Sequence, residues 1–510
     1  MHLAHKIMAQ TQAINLFSPV LLLLPLLLLI LLKHFKHNSS PPLPPGPYPW
    51  PILGNILQLG NKPHISLTHF SKIYGPLFSL RLGTQLVVVG SSQAAAIAIL
   101  KTHDRILSGR HVPHMAPSKS SELNKLSLGW VVECNEKWKY LRTVCKSELF
   151  SLKALESQAR TRERKVKEMV GFINKMEGKV VKIREIATAT VFNMLSNILV
   201  SRDLISLEHE SEDGGMSSVL KDIARLASTP NISDFYPILG PLDLQGLRKK
   251  TMELHRRSFN MCEAIIQERR EGEGKGDGPD ASRRRDFLDT LLLNGSSDDQ
   301  INTLLMELLS AGTDTSSSTI EWTMAELIKN PRCLQKVQEE IAGVINMNRD
   351  TGFKESHLPQ LPYLQACIKE TLRLHPPGPF LLPHRAIDSC QVMNYTIPKN
   401  TQVLVNYWAI GRDPKSWEEP VVFNPERFLS SNLDFKGNDF EFIPFGSGRR
   451  ICPGLPMAAK HVALIIAYLI IFFDWSLPCG KNPVDLDMSE SYGLTLRKEQ
   501  PLLLVPTSKK

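Results

Sequence analysis

The spacing of apolar residues changes several times along the chain, and each change marks a different kind of element. Ile14–Leu32 is almost unbroken apolar sequence, with only Asn15 and Ser18 polar. At 19 residues and ~1.5 Å of rise per residue it just crosses a hydrocarbon core of ~30 Å. Lys33, His34, Lys36 and His37 follow it, so the positive-inside rule leaves the rest of the chain in the cytosol. A cleaved secretory signal is the alternative, but no A-x-A-like site follows and the stronger basic flank lies behind the run. Pro41-Pro42-Leu43-Pro44-Pro45-Gly46-Pro47 then reads as a stiff spacer, since proline fixes φ and cannot continue a helix.

Beyond the spacer the periodicity settles into helices, with one clear exception. Leu77–Leu82 and Gln85–Val89 flank Gly83-Thr84, which predicts a β-hairpin. Gln93 to Leu100 turns helical, Gly109 to Ser121 is a polar, proline-interrupted loop, and Trp138 and Arg142 share one face of a helical stretch. Residues 153–265 carry weakly amphipathic helices broken near Pro230 and Pro237–Gly240. Glu268–Asp286, charged and glycine-rich, reads as a surface loop. Ser297, Asp298 and Asp299 open a long helix ending near Asn330. Val462–Phe473 is apolar on all sides but only 12 residues long, too short for a bilayer, so it reads as a buried core helix. The pattern predicts a mainly α fold with a smaller β subdomain. Its organisation is an N-terminal transmembrane anchor (1–37), a proline-rich hinge (38–51) and a catalytic domain (52–510).

Composition narrows this picture. The 510 residues are 42% hydrophobic and 22% charged, which is globular. The net charge of +9 suits an anionic membrane surface or an acidic partner; with no basic stripe interleaved with aromatics, nucleic acid is not expected. The eight cysteines are scattered, unlike a disulfide framework, and read as reduced cytosolic thiols.

The chemistry concentrates in Pro444-Phe445-Gly446-Ser447-Gly448-Arg449-Arg450-Ile451-Cys452-Pro453-Gly454. Its glycines permit tight turns and close approach to a flat ligand. Cys452 precedes an apolar helix, where unpaired backbone N–H groups lower a thiol pKa. Such a thiolate is a strong axial ligand for haem iron. An inert buried thiol is the ordinary alternative, and zinc is disfavoured because no C-x-x-C pair accompanies it. The stretch Ala311-Gly312-Thr313-Asp314-Thr315-Ser316-Ser317-Ser318-Thr319 puts poor helix formers in the middle of a helix with apolar ends, and a local rule broken there usually marks function. Ala311 and Gly312 would let a planar group approach the backbone. Glu370 and Arg373 stand one helical turn apart and can pair.

The spacing F-x-x-G-x-R-x-C-x-G at 445–454 resembles that of the cytochrome P-450 superfamily, the haem-thiolate monooxygenases, and the likeness runs over nearly the full length. It implies the cytochrome P-450 fold, haem b held by Cys452 as metal ligand, and contacts to that cofactor from Phe445 and Arg450. Ala311–Ser316 is similar to the family's oxygen-activating element, which implies that Thr315 hydrogen-bonds the oxygen being activated and Asp314 helps deliver protons. Trp138, Arg142, Arg385 and Arg450 then hold the haem propionates, with His384 able to share the task of Arg385. Glu370, Arg373 and Arg427, in E-x-x-R and P-E-R-F elements, form a buried structural triad.

No G-x-G-x-x-G follows a strand, so NADPH electrons must arrive through a partner. The resemblance implies the membrane-bound NADPH–cytochrome P-450 reductase, docked on basic residues such as Lys139, Lys146, Arg449 and Lys460. It further implies the endoplasmic reticulum membrane, crossed once. Ala311–Trp322, Ala409–Pro414 and Cys390–Lys399 look like plant members of the family, closest to the benzylisoquinoline-alkaloid branch. That implies a small aromatic alkaloid substrate, either hydroxylated or coupled through its phenols. A monoterpenoid or other phenolic hydroxylase, and a reductase-independent haem-thiolate isomerase, are the alternatives. Pocket walls are expected from 108–124, 205–240, Leu308–Thr315, Gly378–Leu382 and Ser491–Leu494.

Overall fold

Gly83, at φ +59°, and Thr84 turn the first hairpin. They join β1 (Leu77–Leu82) to β2 (Gln85–Gly90) in the register expected, Leu82 opposite Gln85. The computed structural model describes residues 42–117, 120–208, 215–274, 285–347 and 352–509. The expected anchor at Ile14–Leu32 lies outside them. The chain divides into Met1–Pro42 and Leu43–Lys510, and everything below concerns the second unit. Within the expected hinge, the Pro45 carbonyl accepts the Ser79 amide and the Pro44 carbonyl its hydroxyl. A Cβ on Gly46 would stand 1.7 Å from the Ser79 oxygen, so this segment lies along β1 only because residue 46 has none.

β1 and β2 continue into a five-stranded sheet with β3 (Gly109–Arg110), β4 (His384–Arg385) and β5 (Gln402–Val405), in the order β1-β2-β5-β4-β3. The two-residue β3 lies where the sequence predicts only loop. Helices make up most of the rest, among them α1 (Glu136–Cys145), α2 (Leu152–Lys175), α3 (Ile183–Val200), α4 (Asp298–Lys329), α5 (Pro362–Leu374) and α6 (Leu455–Phe472).

The long α4 is the axis of the body. Ser297 caps it by accepting the Gln300 amide, and Asn330 closes it, as the sequence predicts. It packs along α3 and against α5 and α6. The Ser/Thr run does not interrupt it: Thr313, Thr315, Ser317, Thr319 and Thr323 each donate to the carbonyl four residues earlier, at 2.6–3.0 Å. Back-bonding satisfies the hydroxyls without leaving the helix.

The apolar helix expected directly after the cysteine loop and the core helix expected at Val462–Phe473 are one element, and one loop boundary differs from expectation. α6 starts at Leu455, directly after Gly454, and stops where Phe473 enters a strand. Its 18 residues are long and apolar enough to cross a membrane, yet 61% of the stretch is buried against α2, α4 and α5. It is a core helix, as predicted, but longer at its N-terminal end. The supposed loop Glu268–Asp286 is helical through Gly274. Asp286 caps Phe287–Leu293, and Arg269 reaches both Asp286 and Asp289. A charged, solvated helix face had the composition of a loop.

Candidate active site

Cys452 and Thr315 face one cavity of ≈ 1440 Å³. Pockets for one drug-sized ligand run to ~300–1,000 Å³, so this cavity has room for a cofactor and a substrate together. Every stretch expected in the wall contributes, including Met115, Phe235, Ala311, Phe380 and Tyr492.

The cysteine loop closes on itself through the Cys452 amide, which donates to the Phe445 carbonyl at 3.0 Å. The sulfur is half-buried at the cavity and accepts the amides of Gly454 and Leu455, with Arg142 nearby. Burial pushes this thiol up, and those donors offset it only in part. A helix N-terminus alone therefore does not supply the lowered pKa expected from sequence; a buried thiol ionises against a cation, as metal ligation provides. Phe445 lines the cavity and meets Phe435 edge-on at 5.4 Å.

Three arginines cluster on the cavity wall, and one of them, Arg142, lies near the sulfur. Asn135 caps α1, and one turn separates Trp138 from Arg142. The Arg142 and Arg450 guanidinium carbons stand 5.4 and 4.9 Å from the Trp138 ring centre. Arg142 donates to the Ile451 carbonyl and Arg450 to those of Ser108 and Val131. Arg110 donates to the carbonyls of Gly129 and Leu382. None of the three has a carboxylate partner among the described residues, and the buried Nη1 of Arg450 has no partner there at all. Burial first, then repulsion from Arg450, lowers Arg110 to about 9.

Sequence reasoning missed Arg110 and preferred Arg385 to His384. Arg110 pairs with His384 and Gly109 with Arg385 across β3 and β4. Paired residues share a sheet face and successive ones alternate, so Arg110 and His384 reach the cavity wall while Arg385 is not among its residues. The pairing of two-residue strands so far apart in sequence leaves no local signal. His384 donates to the Leu107 carbonyl at 2.7 Å and is pushed down to about 3 by burial and by Arg110.

On α4, Ala311 is exposed to the cavity in the middle of a core helix. Gly312 has a different reason: a Cβ there would meet Leu195 of α3 at 2.8 Å, so its smallness chiefly serves helix packing. Thr315 lines the cavity. Asp314 is bound by Arg184 at 2.7 Å, Arg497 at 3.1 Å and the Thr495 hydroxyl at 2.6 Å. Burial alone would raise its pKa; the two arginines overcome that and hold the carboxyl below its usual range.

Away from the cavity, Arg373 forks onto Glu370 with two bonds of 2.7 Å, and Arg427 adds a third at 3.0 Å. Arg373 also donates to the carbonyls of Gly411, Pro420 and Val422. Of the basic residues expected to dock a reductase, Lys139 pairs with Glu136, Arg449 with Asp104 and Lys460 with Glu355. Lys146 is exposed.

Comparison with known proteins decides the family, because the family model described as Cytochrome P450 matches residues 44–505. The chain belongs to the cytochrome P450 family. It is 51% identical over 91% of its length to the probable (S)-N-methylcoclaurine 3'-hydroxylase isozyme 2 of Coptis japonica, covering 93% of that protein. Isozyme 1 of the same hydroxylase from Papaver somniferum is 48% identical, over 93% of this chain and 97% of the relative. Corytuberine synthase of Coptis japonica is 45% identical, over 95% and 97%. This P450 is thus a haem-dependent monooxygenase that draws NADPH electrons through a reductase. Its cavity fits that cofactor: one sulfur at its surface, largely apolar walls, and three arginines without a carboxylate among the described residues, where two propionates require cations.

Proposed function

We propose that this P450 oxidises a benzylisoquinoline-type alkaloid of plant specialised metabolism, by aromatic hydroxylation or by phenol coupling, at the endoplasmic reticulum membrane. The observation that carries the reading is the shared cavity, lined by Cys452, Thr315 and Asp314 together with apolar and aromatic side chains. The relatives' names supply the substrate class.

When bound, haem supplies activation of dioxygen at its iron. The chain does the rest. Cys452 is the metal ligand. Arg110, Arg142, Arg450, Trp138 and His384 hold the propionate edge, Arg385 lying off the wall. Thr315 offers a hydroxyl at the cavity surface. Asp314, ionised between Arg184 and Arg497, accepts protons from the solvent side and steadies the Thr495 hydroxyl. Phe380 and Tyr492, 5.8 Å apart, exclude water around a ring-bearing substrate. Hydroxylation inserts one oxygen atom of O₂ into an aromatic C–H and reduces the other to water with two electrons from NADPH. Coupling removes two phenolic hydrogens, and these, with two electrons from NADPH and two protons, reduce both oxygen atoms to water.

The apolar run at 14–32 and the exposed Trp50, Ile52, Leu57 and Ile238 support a seat on the bilayer, since grouped exposed apolar side chains mark a contact surface. Tyr236 joins the two groups by donating to the Ile52 carbonyl.

Microsomes carrying this chain and a reductase, given a panel of benzylisoquinolines under isotopically heavy O₂, test the reading. A heavy label in the product indicates hydroxylation, and loss of two hydrogens without label indicates coupling. Neither product from any member would refute it. Cys452→Ser must abolish both the thiolate-type Soret band of the reduced carbon monoxide complex and turnover.

A further inference from the structure

Among the described residues, the enclosed carboxylates Glu355, Glu370 and Asp314 come with cations, while Glu307, which lines the cavity, does not. Glu355 has Arg162 and Lys460, Glu370 has Arg373 and Arg427, and Asp314 has Arg184 and Arg497. Glu307 accepts only neutral donors: the Ser127 hydroxyl and the amides of Leu128, at 2.7 Å, and Gly129, at 3.2 Å. No lysine, arginine or histidine reaches it among the described residues. A carboxylate offers about four acceptor directions, so one stays open, and the residue lines the cavity. Burial pushes its carboxyl up, and the three donors only partly offset this. A buried charge without a counter-charge is costly, and an incoming cation would remove that cost.

We infer that Glu307 is the subsite for the protonated amine of the substrate, and that it sets the substrate's orientation. Glu307, Ala311 and Thr315 follow one another at four-residue steps on one face of α4, and all three line the cavity. From Glu307 to Thr315 the helix rises ~12 Å, and the small Ala311 leaves the space between them open. A two-ring aromatic amine spans that distance once the carboxylate and ammonium have met. Its nitrogen then sits at Glu307 and its far ring beside Thr315. The other wall carboxylates are less suited: Asp314 already has two arginines, and Asp234 accepts the His114 amide beside the Gly83-Thr84 turn. The bonds to Ser127, Leu128 and Gly129 fix the carboxylate in advance, so little ordering remains when the ligand arrives.

The inference rests on an amine substrate as proposed above, and its test separates the two. Dissociation constants are read from the Soret shift of the haem-loaded full-length protein. The probes are a benzylisoquinoline amine, its uncharged N-acetyl analogue, and a simple benzyl dimethylamine. Glu307→Gln keeps an oxygen for the two amides and removes the charge. It is expected to weaken both amines at least about tenfold and leave the N-acetyl analogue within a factor of two, while Glu307→Asp falls between. Equal loss for charged and neutral probes, or loss for neither, overturns the inference. Should Glu307→Gln not hold haem, the wild type decides: it must prefer the amine over its N-acetyl analogue by a similar factor, and equal affinity overturns the subsite. If the simple amine discriminates but no benzylisoquinoline binds, the subsite stands and the alkaloid reading fails.

Discussion

Replacing Arg373 by alanine is expected to unseat the cysteine loop from a distance. Glu370 and Arg373 are both fully buried, and Glu370 accepts two bonds from Arg373, one from Arg427 and one from the Asn424 amide. Removing Arg373 leaves a buried carboxylate with one arginine and frees three carbonyls of the 411–422 segment. Breaking a buried pair in this way costs ~3–5 kcal/mol, against a total stability of ~5–15 kcal/mol. With ~2.1 cal/mol/K of unfolding entropy per residue, cooperative unfolding of Leu43–Lys510 would lose ~1 kcal/mol per degree, so the melting temperature falls by ~3–5 °C. The larger effect is local. Trp417, which lies under both guanidiniums, meets Phe428; Phe428 meets Phe442 at 4.8 Å; Phe442 meets Phe435, and Phe435 meets Phe445. A loosened 411–422 segment therefore reaches the loop that carries Cys452. Arg373→Ala should express with little thiolate-ligated haem, read as the reduced carbon monoxide spectrum per unit of protein. Arg373→Lys should rescue poorly, since one ammonium cannot replace a fork bonded at five points. An Arg373→Ala protein with wild-type haem content, activity and melting temperature would refute the reasoning.

Three further expectations concern single groups. Arg110→Ala should lower haem retention during dialysis several-fold while Arg385→Ala does not, because only the first reaches the cavity; equal retention would contradict the strand-face assignment. Thr315→Val should let NADPH oxidation continue while organic product falls and peroxide rises, and unchanged coupling would remove Thr315 from the oxygen site. Glu490 receives His64, His375, Trp408 and Arg412. Burial would raise its pKa, but the two histidines and Arg412 hold it well below the ordinary range. A depressed carboxyl contributes stability above its unfolded pKa of ~4.3, and that stability is lost as pH falls through the folded value. Glu490→Gln should therefore lower stability at pH ~7 and flatten the acid limb of melting temperature against pH below ~4.3; an unchanged acid limb would refute this.

What could be read from the chain was whatever is local. The cysteine loop, the hairpin turn at Gly83-Thr84, the cap at Ser297 and the one-turn pair Glu370–Arg373 each keep their partners within a few positions, so spacing alone finds them. The partners that complete the site come from far away: Arg184 and Arg497 on Asp314, Ser127 on Glu307, Arg110 beside His384. These meetings join residues more than a hundred positions apart, and no periodicity records them. Helix α4 shows the boundary between the two kinds of knowledge. Its Ser/Thr run marked the right place, yet the expected weakness is absent, because the hydroxyls return their hydrogen bonds to the helix itself.

The same cavity leaves both signs of charge unsatisfied, and this asymmetry orients whatever enters. Among the described residues, three arginines of the cavity wall converge without a carboxylate, and on α4 Glu307 stands without a cation. Neither cluster is stable on hydrophobic grounds, since each buried charge carries a desolvation cost that its hydrogen bonds only partly offset. Two different occupants resolve the conflict: a dianionic planar group at the arginines and a cationic amine at Glu307. A neutral substrate would satisfy only the first, leaving the carboxylate uncompensated. Discrimination between amine and hydrocarbon substrates then follows from the protein's own unpaired charge, before any contact with the oxidised ring is considered.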